Sequence, residues 1–248
     1  MANRLTLVTG GTRGIGAATA LRLARAGHDL VLGYARDDRA AEETRLAVED
    51  AGARCAIVRT DLTGPEGVDR LFGEAAEHGE LTGVGNNAGA TVPIGPLAET
   101  PPEVVAATVD LNLTAALLVA RAAVRALGTS YGGGGGVLVN VSSGAATLGA
   151  PGEYVQYAAA KAGVDTLTLG LAQEVAGEGI RVVGVAPGIV RTTIHADAGE
   201  PGRIDRVGPL VPLGRPGEPH EVADAIAWLM SDEASYVTGT TLRVAGGR

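Results

Sequence analysis

TGGTRGIG, residues 9–16, lies between the apolar run LTLVT (5–9) and an alanine-rich stretch with helical spacing at 15–26. A strand that turns this tightly into a helix needs glycine where the backbone takes positive φ. It needs glycine again where a Cβ would hold a diphosphate away from the helix N-terminus. Gly10, Gly14 and Gly16 give the spacing GxxxGxG, which in a chain with 38 glycines says little by itself. Its position after a strand and before a helix, with a second strand ending about twenty residues on, points to a dinucleotide.

Outward from this turn, short β-branched runs alternate with longer amphipathic ones. Strands are predicted at 5–9, 29–34, 54–59, weakly around Val84, and at 136–141, 181–186 and 241–245; helices at 15–26, 38–51, 65–78, 102–127, 155–178 and 219–230. Such alternation is the pattern of βαβ units, a doubly wound α/β fold with helices on both faces of a parallel sheet. The 248 residues suffice for one large domain or two small ones, and one Rossmann-type domain over 1–248 is expected. Two stretches break the rhythm: SYGGGGG (130–136), read as a flexible turn, and the Gly- and Pro-rich segment 188–219, read as a substrate lid.

Composition narrows the function. A net charge of −8 argues against nucleic acid and anionic membrane, which require a basic stripe, and 3% aromatic residues offer no base-stacking platform. No apolar run is read as approaching the roughly 20 residues that span a bilayer. MANRLTLVTGG has no export signal, and the lone Cys55 allows neither an internal disulfide nor a CxxC metal site, so a cytoplasmic protein is expected. The four histidines, His28, His78, His195 and His220, have no metal-ligand spacing, and solvent-facing or capping roles are expected for His195 and His220.

The residues after the second strand choose the cofactor. An acid there bonds the ribose 2′-hydroxyl of NAD and repels the 2′-phosphate of NADP. Here Tyr34 ends the strand and Arg36 follows, while Arg13 inside the glycine turn reaches the same region. Two guanidinium groups suit a phosphate dianion, so NADPH is expected over NADH; a shift of the strand end towards Asp37 or Asp38 would favour NADH.

YAAAK (157–161) contains the chain's one lysine; the other 19 basic residues of the 20 are arginine. Tyr157 and Lys161 are four apart, so on a helix they share a face. A nearby cation favours phenolate, and the phenol, with an ordinary pKa of roughly 10, is expected to become acidic enough to exchange protons near neutrality. An ammonium can approach the phenol and a ribose together, which arginine's planar fork does not match. The strand GVLVNV runs into Ser142 and Ser143 at the end where a parallel sheet faces its ligand.

TGGTRGIG, NNAG (86–89), Asn112 in NLT, NVSS ending at Ser143, YAAAK and PGIVRT (187–192) occur together in the order of the short-chain dehydrogenase/reductase family, which the chain resembles over nearly its whole length. Its 3-oxoacyl-carrier-protein reductase and sugar or alcohol dehydrogenase branch is the most similar. The resemblance implies Tyr157 as general acid and base, Lys161 lowering its pKa and holding the nicotinamide ribose, Ser143 on the substrate oxygen, and Asn112 bending its helix to place a relay water. Ser142 is the neighbouring alternative to Ser143, and Tyr154 a decoy without a supporting cation. It further implies Asp61 on the adenine amino group beside Leu62, and Asn87, Ala88 and Gly89 lining the cofactor. Thr12 and Ile15 belong to the glycine turn, Pro187 and Gly188 to the last cofactor loop, with Ile189 and Thr192 at the carboxamide. A strand order of 3-2-1-4-5-6-7 and a homotetramer packed through 102–127, 155–178 and the C-terminal segment follow from it too.

Two departures stand out. LTGVGNNAG lacks the usual acidic and apolar residues, so a thin, mobile fourth strand is expected, and VAGG stands near the C-terminus in place of VDGG. The expected function is NADPH-dependent reduction of a small ketone or aldehyde, or the reverse oxidation of a secondary alcohol. An NADH-preferring dehydrogenase, an epimerase or dehydratase that returns the hydride, and a dinucleotide-sensing protein are the rivals. Arg125, Arg203 and Arg206 are candidates for docking a carrier protein, though scattered arginines are usually solvated.

Overall fold

Parallel strands require crossovers, and each helical stretch above is long enough to supply one. A computed structural model describes residues 4–91 and 94–248; the first three residues of MANRLTLVTGG and residues 92–93 lie outside the described residues. The chain runs β1 (Arg4–Thr9), α1 (Gly14–Ala24), β2 (His28–Tyr34), α2 (Asp38–Asp50), β3 (Cys55–Arg59), α3 (Pro65–His78), β4 (Leu81–Asn86) and α4 (Pro102–Val109). A π-helical turn, Asp110–Thr114, joins α4 to α5 (Ala115–Leu127). Then follow β5 (Gly136–Val141), α6 (Ala145–Leu148), α7 (Val155–Glu174), β6 (Ile180–Pro187), α8 (Ile194–Asp197), α9 (Arg203–Val207), α10 (Pro219–Met230) and β7 (Thr241–Val244).

The seven strands pair in parallel in the order β3-β2-β1-β4-β5-β6-β7, a Rossmann-type sheet. Strand periodicity assigns the faces. Leu5, Leu7, Val31, Leu138 and Val182 point to a core shared with α3, α5 and α7. Val8, Leu30, Leu32, Val139 and Val183 point to the other, shared with α1, α2 and α10. Because β1 pairs with both β2 and β4, the crossover direction reverses between them, and a crevice opens at their carboxyl ends.

β4 is fully formed and buried, contrary to the expectation of a thin, mobile strand. Asn86 at its end stands in register with Asn140 of β5 and donates to its Oδ1 at 3.0 Å and to the Ala116 carbonyl at 3.0 Å. Asn140 donates in turn to Thr168 Oγ1 of α7 at 3.0 Å. This satisfied polar chain ties two strands to two helices, and strand, helix and side chain hold one another in place. Pro102–Leu127 forms one 26-residue apolar helical run over the bounds expected, long enough to cross a bilayer by length and composition, contrary to the expectation that no apolar run approaches that length. Its second half lays Ala116, Val119, Ala120, Ala123 and Leu127 into the sheet's core.

His28 opens β2 buried, with Nδ1 2.8 Å from Thr6 Oγ1. Burial, then the Arg4 charge, brings the imidazole down from 6.5 to about 4. A folded value below the unfolded one means the unfolded chain takes up the proton first. The contribution of neutral His28 is therefore complete above pH 6.5 and lost as pH falls through about 4. The urea midpoint should drop across that window in the native protein and less steeply in His28→Gln; equal slopes would refute the assignment.

Candidate active site

The crevice is built from close approaches. Gly10 and Gly14 have φ of +60° and +51°, which only glycine adopts without strain. A Cβ on Gly16 would lie 2.0 Å from the Gly10 carbonyl oxygen, so helix α1 meets the turn with no side chain between. Asn87 Nδ2 donates to the carbonyls of Thr9 (2.9 Å) and Gly10 (3.1 Å), and Thr9 Oγ1 accepts from the amides of Asn87 and Ala88, both at 2.9 Å. β1 and β4 are thus stitched at their carboxyl ends. Thr12 is buried, Ile15 packs on the α1 side of the core, and Thr192 lies 3.2 Å from where a Gly14 Cβ would stand. A cradle that any side chain would fill, at a helix N-terminus, fits a diphosphate.

Beside it, β2 ends at Tyr34 as expected. Asp37 caps α2 by accepting from the Ala40 amide at 3.0 Å, and Asp38 is held by the Tyr34 hydroxyl (3.0 Å) and Arg59 (3.2 Å). Both acids are therefore committed to the fold. Arg36 is exposed, without an ion pair among the described residues, and Arg13 faces Asp197 of α8 at 3.6 Å. A surface pocket of about 520 Å³ is lined by Ala35, Arg59, Thr60, Asp61, Glu66 and Arg70, and Leu62, next in sequence to Asp61, is buried in the core. Asp61 Oδ1 accepts from the Thr63 amide (3.0 Å) and hydroxyl (2.9 Å), bonds that hold its carboxyl below the usual range. Oδ2 makes no such bond among the described residues.

At the other end, β5 delivers Ser142 and Ser143 and the first turn of α7 delivers Tyr157. Ser142 Oγ donates to the Lys161 carbonyl at 3.1 Å and is buried, while Ser143 Oγ accepts from the Ala145 amide at 3.1 Å and its hydroxyl lies near enough to the Tyr157 phenol to act on its pKa. Geometry favours Ser143 of the two. Lys161, 4% exposed, donates to the Val141 carbonyl at 2.9 Å, with Nζ 5.8 Å from the centre of the Tyr157 ring. Asn112, fully buried in the π-turn, donates to the carbonyls of Ala90 (2.9 Å) and Thr108 (3.0 Å) and accepts from the Ala90 amide (3.2 Å). A Cβ on Gly89 would stand 2.8 Å from Asn112 Oδ1 and 3.2 Å from Lys161 Nζ, so glycine there lets the β4 loop reach both.

The acidified phenol is corrected: burial pushes Tyr157 up to about 12, against the lowering influence of the nearby Ser143 side chain and with the neighbouring Tyr154. Burial brings Lys161 down to about 8, Asp165 opposing. Desolvation of each group outweighs their mutual attraction, because Nζ is turned to Val141.

Residues 188–219 carry α8, α9 and a 3₁₀ turn and are fastened at several points. Gly188 donates to Val244, Ile189 packs on Val207 and Val211, and Leu213 donates to Gly246. Pro187 accepts from the Gly144 amide at 2.7 Å, joining β6 to the serine loop. Three sequence expectations fail here. Arg203 is 1% exposed; Tyr154 is supported by a cation, its hydroxyl accepting from Arg203 at 2.9 Å; His195 is buried, with Nδ1 unpartnered. Arg206 pairs with Glu200, and Arg125 lies over Tyr131 at 5.6 Å near the amino end of β5, so the three arginines form no common docking patch.

The model of the family described as Enoyl-(Acyl carrier protein) reductase matches residues 10–248. The chain belongs to the short-chain dehydrogenase/reductase family. "Uncharacterized oxidoreductase YgfF" of Escherichia coli (strain K12) is 44% identical over 245 residues, covering 98% of this chain and 99% of that protein. A short chain dehydrogenase of Burkholderia cenocepacia, solved in complex with NADP, superposes with a TM-score of 0.89 at 31% identity, covering 98% and 97% of the two chains. A 3-ketoacyl-(acyl-carrier-protein) reductase of Brucella melitensis, complexed with NADH, gives 0.90 at 29% identity, covering 99% and 98%. This short-chain dehydrogenase/reductase is accordingly an oxidoreductase with a nicotinamide dinucleotide fold.

Thr9, Asn86 and Asn140 lie in motifs quoted above but were given no role; polar residues inside apolar strand runs were the available signal. The lysine makes its own prediction. Its folded pKa lies below the ordinary 10.5, so burial of its charge destabilises the fold below about pH 8, and the cost fades towards 10.5. Lys161→Met should gain up to about 3 kcal/mol at neutral pH at roughly 1.36 kcal/mol per pKa unit, an advantage that vanishes near pH 10.5. Chemical denaturation at both pH values measures it, and an unchanged or lower stability at neutral pH would contradict it.

Proposed function

We propose that this oxidoreductase reduces a small ketone or aldehyde with NADPH, and reversibly oxidises the secondary alcohol. The observation that carries the proposal is that Ser143, at the carboxyl end of β5, lies beside the buried Tyr157 phenol, whose ring centre is 5.8 Å from the buried Lys161 Nζ. A bound nicotinamide supplies or takes up the hydride. Ser143 holds the carbonyl oxygen, and the Tyr157 hydroxyl donates its proton to it. Raised to about 12, the phenol stays protonated at neutral pH, the form that reduction requires. Its place in the first turn of α7 puts it at the positive end of the helix, which favours phenolate once the proton has left. Lys161, released from Val141, would bond the ribose, while Asn112 fixes the β4 loop under it.

Cofactor preference rests on Arg13 and Arg36, the two cations flanking the ribose position, and on Asp37 and Asp38 being engaged elsewhere. Asp61 and Leu62 would hold the adenine, Asn87–Gly89 the adjacent ribose and diphosphate edge, and Pro187, Gly188, Ile189 and Thr192 the carboxamide side. Residues 1–248 would act as one catalytic domain with 188–219 as its lid. Exposed Leu117 and Leu169, and Trp228 with Leu242, would be covered in a homotetramer.

A panel of ketones, sugars and acyl thioesters with both cofactors tests the activity directly. Net NADPH oxidation is expected, with Tyr157→Phe losing about 10²- to 10⁴-fold in kcat; epimerisation without net oxidation, or binding without turnover, would replace the proposal. Alcohol oxidation, which needs the phenolate, should accelerate as pH rises, and reduction should not. Arg36→Asp should raise the KM for NADPH about tenfold or more, through loss of charge-assisted bonds, and leave NADH little affected. An equal effect on both cofactors would refute the 2′-phosphate assignment.

A further inference from the structure

Arg203 is the largest fully buried side chain among the described residues, and it sits in α9, in a segment whose composition reads as a loop. Burial of a guanidinium is costly unless its donors are met; here both terminal nitrogens are met, while the buried Nε has no partner among the described residues. Nη1 donates to Glu153 Oε1 and Glu200 Oε2, both at 3.0 Å; Nη2 donates to Glu153 Oε2 at 2.5 Å and to the Tyr154 hydroxyl at 2.9 Å. Its Cζ also lies 5.1 Å from the centre of the Tyr154 ring.

What Arg203 holds is a strained turn. Ala150 has φ of +46°, the one positive value outside glycine among the described residues, between Gly149 (+73°) and Gly152 (+73°). A non-glycine residue in this region is uncommon and persists where surrounding contacts over-determine it. The turn leads into Tyr154, the N-cap of α7, whose ring meets that of Tyr157 edge-on with centroids 5.4 Å apart. Arg206 approaches the same turn only from its exposed side, with Nη2 3.9 Å from Glu153 Oε1, so Arg203 is the arginine that enters it buried and hydrogen-bonded. Arg203 thus bridges the segment over the crevice and the residue next to the phenol.

We propose that Arg203 is a positioning residue that clamps 188–219 onto the Gly149–Tyr154 turn and, through Tyr154, fixes the ring of Tyr157. The role rests on Tyr157 being the proton donor; the clamp itself does not. The charged and titratable groups facing the cluster are Glu153, Glu200, Arg206, His195 and, towards Tyr154, Arg248. Arg203 and Arg206 balance Glu153 and Glu200, so the cluster is locally neutral.

The test uses the full chain with Arg203→Met, Arg203→Lys, Glu153→Gln and Tyr154→Phe. Tryptic nicking at Arg191 and Arg206, read by mass spectrometry, reports release of the segment. Kinetics on a ketone that the native protein reduces report the phenol. Arg203→Met should be nicked several-fold faster and lose about tenfold or more in kcat, the scale expected of a misplaced reacting group, with the KM for cofactor little changed. Its pH–rate profile should shift on the alkaline side, and Arg203→Lys, which keeps the charge but not the fork, should recover part of both losses. Tyr154→Phe should keep native nicking while altering kcat and the pH profile.

A folded Arg203→Met with native nicking, kcat and pH profile overturns the proposal. If that variant fails to fold, native behaviour of both Glu153→Gln and Tyr154→Phe overturns it. Should Tyr157→Phe retain full activity, the proton-donor assignment falls, and nicking alone decides the clamp.

Discussion

Everything at the working end of the sheet depends on how closely β1 and β4 approach without side chains between them. The Gly10 carbonyl and the Gly16 Cα occupy space that one methyl group would fill, and the same carbonyl accepts from Asn87 across the switch point. Thr9 completes the stitch with a single hydroxyl oxygen that satisfies two amides of the β4 loop. A buried amide left unpaired costs on the order of 1–3 kcal/mol, so this short arrangement also removes a penalty that an open crevice would carry. The cradle is rigid because its backbone is hydrogen-bonded, and open because its side chains are absent.

The electrostatics of the pocket follow from the same burial. Water is excluded from Tyr157 and Lys161 alike, which keeps the phenol protonated and weakens the ammonium's hold on its proton. Proximity in sequence put the two groups on one helix face, yet their coupling is small while the ammonium bonds the Val141 carbonyl. Lysine suits this place because its flexible stem can exchange one acceptor for another, whereas a guanidinium fork fixed on two acceptors would resist the exchange. That is a stronger reason for the chain's one lysine than acidification of the tyrosine.

The sheet was legible because strand and helix periodicities are local properties, and every strand was found within a residue or two apart from β4. β4 was underrated because Gly83 and Gly85 carry no apolar signal, while its stability comes from Asn86 meeting Asn140, a register only the sheet reveals. At the site, the glycine turn, Ser143, Tyr157 and Lys161 could be picked out because their chemistry is unusual for their surroundings. Ser142 and Ser143 were separable only by direction: alternation along the strand sends Ser142 to Lys161's backbone and leaves Ser143 on the side of the phenol. Arg203 was illegible because charge in a glycine-rich stretch looks solvated, and Glu153 lies 50 residues upstream while Glu200, three residues upstream, precedes the helix.

Replacing a buried ion pair by apolar residues of similar volume is often neutral or stabilising, so stability alone does not explain why an arginine occupies this spot. An apolar contact between α9 and the 149–154 turn could slide by a few tenths of an ångström at little cost, since dispersion is weakly directional. A planar fork held by two carboxylates and a hydroxyl cannot, because moving it lengthens four hydrogen bonds at once. The turn beneath it carries a positive φ at Ala150, a conformation that persists only where surrounding contacts over-determine it. A directional clamp supplies such contacts, and with them one orientation of the Tyr157 ring three residues beyond Tyr154.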